Sequence, residues 1–201
     1  MSLKRIIMHW SAGGNSANSS DREHYHEIVE GDGDRVRGDK LPEANLSTSD
    51  GHYAAHVRKF NTGSIGLSMA GMHGSSPAPF KKGNSPLKKK QVEVFVQMVA
   101  EYADTYDIEI TRETVLTHSE VPITHGIVQP GKWDITWLPG MKKPDHPIKV
   151  GDRLREMITA AQEKMNGDDS DASFSAEDSS DSKLADALAA HILKFLKSST
   201  D

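Results

Sequence analysis

The chain has 201 residues, 36% of them hydrophobic and 26% charged, which suits one globular domain with a polar appendage. Its formal net charge of -5 supplies no global basic field, so nucleic acid is not an expected partner. It contains no cysteine, which excludes disulfides, thiolate metal sites and cysteine nucleophiles, whereas its ten histidines are many for the length and need an account.

The first segment, Met1–Trp10, has an apolar run far too short for a signal peptide or a membrane span. The expectation is therefore a protein held in the cytoplasm when made. Lys4–Trp10 reads as a short buried strand with His9 near its end. Ser11–Asp21 is small, polar and glycine-containing, hence a loop. His24–Glu30 reads as a strand, and the turn signal from Glu30 to Asp34 returns Arg35–Arg37 as its partner. Gly38–Asp50 reads as a long loop.

Ser64–Gly71 reads as a central strand, with glycines where backbones approach closely. A second loop spans Gly71–Asn84. Ser85–Tyr106 carries the strongest helical periodicity: Val92, Phe95, Val96, Val99 and Tyr102 share a face, with Ser85 as cap and Pro86 in the first turn. Lys81, Lys82 and Lys88–Lys90 read as a solvated helix start. Thr114–Thr117 is a short β-branched segment leading into His118, and Gln129–Pro147 is irregular. Asp152–Met165 is a second helix that turns Leu154, Met157, Ile158, Ala161 and Met165 inward.

Gly167–Ser182 is mostly Asp, Ser and Glu and reads as a flexible acidic linker. Lys183–Lys197 has an apolar stripe of Leu184, Leu188, Ile192, Phe195 and Leu196 and reads as an amphipathic helix. Three uses of that helix stay open: packing on its own domain or on a second copy, contact with a membrane surface, and partial disorder. Strands alternating with helices give an α/β fold, a central mixed sheet flanked by helices. The expected division is a domain over residues 1–166, the linker over 167–182 and the terminal helix over 183–201.

Without cysteine, a metal-dependent hydrolase would have to build its site from His, Asp or Glu, three ligands with one position left open. His9, His118 and Asp134 are candidates, but their separation along the chain does not select them. Four blocks do. Ile6–Ala12, His24–Val29 with Asp32–Gly33, Ala55–His56 with Asn61 and Ser64–Gly66, and Thr117–Val121 with Lys132–Asp134 follow one another in order. Together they resemble the type 2 N-acetylmuramoyl-L-alanine amidases, a family that includes phage amidase-type lysozymes and peptidoglycan recognition proteins. The resemblance runs from about Lys4 to Trp137.

The resemblance implies zinc held by His9, His118 and Asp134. It implies that Lys132 stabilises an oxyanion, that Tyr25 orients water or steadies the same intermediate, and that His56 lines the substrate groove. An alternative family arrangement uses a glutamate in the central strand. Here Gly66–Met69 contains none, which favours Tyr25 and the phage-lysozyme type of site. Trp137–Gly140 and the charged loop Gly31–Asn45 depart from the family pattern. The implied activity is cleavage of the lactyl–L-alanine amide of peptidoglycan by a phage or prophage endolysin. A cytoplasmic amidase recycling anhydro-muropeptides and a non-catalytic peptidoglycan-binding module are the alternatives.

Overall fold

A computed structural model describes residues 2–171. In chain order its regular elements are β1 (Arg5–Trp10), α1 (Ser19–His24), β2 (Glu27–Val29), β3 (Arg35–Arg37), β4 (Ser64–Met69), β5 (Ser76–Pro77), β6 (Phe80–Lys81), α2 (Lys89–Thr105), β7 (Val115–Thr117), α3 (Val121–His125) and α4 (Pro147–Asp171). Short 3-10 turns occupy Pro42–Leu46 and His118–Glu120. The main sheet has the order β3-β2-β4-β1-β7. It is mixed: β1 runs parallel to β4 and β7, β2 runs parallel to β4, and β3 closes the edge antiparallel.

The period-two alternation of the strands sorts their side chains onto two faces. Ile6, Met8, Trp10, Val29, Ile65, Leu67, Met69 and Val115 point to one face. There they meet Val92, Phe95, Val96 and Val99 of α2 and Leu154, Met157 and Ile158 of α4 in one apolar core. Ile7 and Leu116 point the other way and join Val57 and Val121 in a smaller cluster. That second face is covered by the loops between β3 and β4 and after β7. Both faces are thus shielded, which is why β1 and β4 are buried along nearly their whole length.

Several sequence expectations need correction. The segment before β2 is not extended: α1 takes Ser19–His24, so His24 is helical. Its start carries a capping box, with Asn18 Oδ1 accepting the Asp21 N–H at 3.0 Å and Asp21 Oδ2 accepting the Asn18 N–H at 3.1 Å. Helix α2 begins at Lys89 rather than after Ser85. The Ser85 carbonyl is committed to the Met72 N–H at 2.6 Å, so the chain stays in the loop until the Gln91 side chain can accept the Lys88 N–H. The loop over Gly71–Asn84 contains the small β5–β6 hairpin.

Helix α4 is longer at both ends than its apolar stripe indicates. Pro147 opens it, where a missing N–H costs nothing. It runs on through Asp171, into the acidic stretch, because extending an existing helix adds one hydrogen bond per residue ordered. The rest of the stretch expected to be a linker, and the segment expected to form a terminal helix, lie outside the described residues.

Candidate metal centre

The site sits on the loop-covered face, at the C-terminal ends of the parallel strands, where side chains from separate segments can converge. His9 comes from β1 and points away from the helical core, as its odd position beside Ile7 dictates. His118 follows β7 immediately, in the neighbouring strand position. Asp134 arrives from the irregular stretch after α3, and its carbonyl accepts the Ser119 N–H at 2.6 Å, which ties that stretch to the His118 turn.

One ligand atom from each of His9, His118 and Asp134 lies within 4.8 Å of the other two, and all three residues are buried. Asp134 Oδ2 stands 3.1 Å from Nδ1 of His9 and 3.2 Å from Nδ1 of His118. Two imidazole nitrogens and a carboxylate oxygen are the donor set that zinc accepts in hydrolytic sites. The far ring nitrogens are engaged on the outside, as metal-binding histidines require. His9 Nε2 is 3.1 Å from His56 Nδ1, and His118 Nε2 is 3.0 Å from Gln129 Oε1. The residues present therefore fit a divalent metal such as zinc.

The electrostatics match that use. Burial holds the His9 imidazole down to about 4, so it is neutral near pH 7 and able to ligate. Burial lowers His56 as well, and the neighbouring His9 and His26 add to the effect. Burial by itself would raise Asp134; a proton on Nδ1 of His118 or His9 would lower its carboxyl below the ordinary range, and a cation held in that place acts in the same direction. Tyr25 lies with its ring centroid 5.1 Å from that of His9. Burial, with the charges of Asp134 and Asp21, pushes its phenol upward, so it keeps its proton and remains a donor.

A groove of about 430 Å³ opens beside the cluster, with His24, His56, Arg58, His118, Gln129 and Lys132 among its walls. His56 is at the edge of this groove but only 7% exposed, and its ring is turned toward His9. Lys132 is exposed on the wall, two residues from Asp134. His26 is buried in the bend just before β2: its Nε2 bonds Asn45 Oδ1 at 3.2 Å and its Nδ1 accepts the Gly66 N–H at 2.9 Å. Asn45 in turn donates to the carbonyls of Ala54 and Asn61 and so organises the covering loop.

Sequence reasoning misses several supporting residues. Gln129 lies in a stretch with no periodic signal. Glu120 does leave a trace, because Thr117-His118-Ser119-Glu120 has the spacing of a capping box, and Glu120 Oε2 accepts the Thr117 N–H at 2.7 Å. Its other oxygen takes Arg155 of α4 at 2.7 Å, and Arg155 also donates to the Val115 carbonyl at 2.8 Å. Gly151 of α4 makes this possible, since a Cβ there would stand 2.1 Å from Glu120 Oε2.

Compared with known proteins, residues 1–136 match the family described as N-acetylmuramoyl-L-alanine amidase. The matched span includes all of the residues clustered at the site except those contributed by α4. No curated protein matches the chain.

Proposed function

The chain belongs to the N-acetylmuramoyl-L-alanine amidase family, whose substrate is peptidoglycan, and from that premise we propose that it is a zinc-dependent endolysin of phage type. The observation that carries the reading is the meeting of His9, His118 and Asp134 within 4.8 Å, with His118 also lining a groove. When bound, zinc supplies Lewis acidity that polarises a carbonyl and lowers the pKa of water toward about 7.

The protein's own residues do the rest. The groove holds the sugar–peptide junction so that the lactyl carbonyl lies over the cluster. Water adds to that carbonyl, the amide C–N bond breaks, and L-alanine leaves as an amine once it gains a proton. Lys132 brings a positive charge to the wall where negative charge develops on the carbonyl oxygen. Tyr25, kept as a phenol beside His9, donates its O–H to the same region. Beside a bound cation Asp134 stays ionised and so remains a ligand at neutral pH.

The phage-type assignment is supported by the face of β4 that looks onto the site. It presents Gly66 and Ser68 and no carboxylate, so Tyr25 is the polar group beside the cluster. The intact donor set disfavours a binding module that has lost its chemistry. In this reading residues 1–166 form the catalytic domain, and the enzyme acts on the wall outside the cytoplasmic membrane after release from the cell interior. The test is digestion of purified sacculi by protein of measured zinc content. New amino termini on L-alanine are expected. Zinc-loaded protein that releases none would remove the enzymatic reading, and activity confined to soluble anhydro-muropeptides would favour recycling.

A further inference from the structure

Two hydrogen-bonded relays lead outward from the cluster, and each ends on the backbone. Behind His9, His56 Nε2 lies 3.3 Å from the Ser64 carbonyl. A carbonyl only accepts, so His56 carries its proton on Nε2 and offers a lone pair at Nδ1. His9 Nε2 faces that lone pair at 3.1 Å and must donate to it. Behind His118, the Gln129 amide is pinned from both sides. Its Oε1 accepts the Arg58 N–H at 3.2 Å and its Nε2 donates to the Arg58 carbonyl at 2.9 Å. Reversing that amide would set donor against donor and acceptor against acceptor. Oε1 is therefore what His118 Nε2 meets at 3.0 Å, and His118 must donate there.

With both protons directed outward, Nδ1 of His9 and Nδ1 of His118 turn lone pairs toward Asp134 Oδ2 at 3.1 and 3.2 Å. Three electron-rich atoms then face one another with no hydrogen between them, an arrangement that a cation reconciles. Gly66 gives the first relay its room. It sits in β4 beneath the His56 ring, where a Cβ would fall 2.4 Å from His56 Cγ.

We propose that His56 and Gln129 are positioning residues that fix His9 and His118 as Nε2–H tautomers with Nδ1 directed at the metal, and that Gly66 is required because it lets His56 lie in place. Its consequence for metal affinity rests on the zinc reading; the tautomers themselves do not. His56 thus acts through His9, besides standing at the groove edge.

The test begins with nitrogen-15 imidazole spectra of the full chain, metal-free and zinc-loaded, at a pH where both rings are neutral. Protonated-type Nε2 and unprotonated-type Nδ1 are expected for both histidines, and a proton on Nδ1 of either metal-free ring overturns the proposal. Zinc affinity, read by competition with a chelating dye, should fall about 10–100-fold in His56→Ala and in Gln129→Leu. His56→Asn, which places an amide oxygen near the former Nδ1, should recover most of the loss. Gly66→Ala should weaken zinc binding in the parent protein and add nothing in the His56→Ala background, a non-additivity expected of directly coupled residues. Affinities equal to wild type, or fully additive losses, overturn the proposal. If a variant does not fold, the wild-type spectra still decide. Wild-type protein that takes up no zinc yet shows both Nε2–H tautomers would refute the metal reading and leave the relay standing.

Discussion

Arg155 of α4 reaches the buried carboxylate of Glu120 at 2.7 Å, and Glu120 lies two residues from His118. A helix beyond the family-matched span thereby holds the turn that presents a candidate metal ligand. Glu120 is 0% exposed, so losing its cationic partner would leave a buried charge with only the Thr117 N–H against it. Arg155→Ala is expected to cost about 3–5 kcal/mol, seen as a lower denaturation midpoint. Zinc affinity should fall with it, because the His118 turn loses its brace. Unchanged stability would mean that the turn is held without α4.

His118→Ala should lose zinc and activity together, since it removes one of the three proposed ligands. Lys132→Ala should keep its zinc and lose roughly 10²–10³ in kcat, the usual cost of removing a group that stabilises an oxyanion. Elemental analysis beside turnover on sacculi separates the two. A fully active Lys132→Ala protein would take Lys132 out of the chemistry.

Tyr25→Phe leaves a ring of the same shape next to His9 and removes only the hydroxyl. The expected result is retained zinc, little change in KM, and a fall in kcat of about 10–10², the scale of a lost transition-state donor. A change confined to KM would make Tyr25 a substrate contact instead.

Acid should destabilise the fold through His26. Burial lowers its pKa from 6.5 to about 4 in the folded protein. Between those values the unfolded chain binds more protons, so stability rises with pH across this window. His26 costs nothing above the upper value, its penalty grows as pH falls, and the loss is complete below the lower one. For this group the shift corresponds to roughly 3 kcal/mol. The melting temperature should drop between pH 7 and pH 4.5, and His26→Gln, although less stable at neutral pH, should show a shallower drop. An equal slope in both proteins would assign the acid sensitivity to other groups.

Local patterns determine much of this protein. The alternation in Arg5–Trp10 and Ser64–Met69 and the apolar stripes of α2 and α4 depend on neighbours a few residues away, so they are legible in the sequence as a mixed α/β fold. His9, Tyr25, His118, Lys132 and Asp134 are legible for a related reason: each lies in a short block whose residue types resemble those of the family. The start of α2 and the ends of α4 are not. They depend on the Ser85 carbonyl finding Met72 and on helix extension past the apolar stripe.

Tertiary structure alone decides how the site is supported. His9 meets His56 across 47 positions, Gln129 meets Arg58 across 71, and Arg155 meets Glu120 across 35. No period or spacing encodes such pairs, because they exist only once the sheet brings distant loops to one edge. Which nitrogen of each histidine carries the proton is decided there too, since it depends on whether the group opposite can only accept, as the Ser64 carbonyl does.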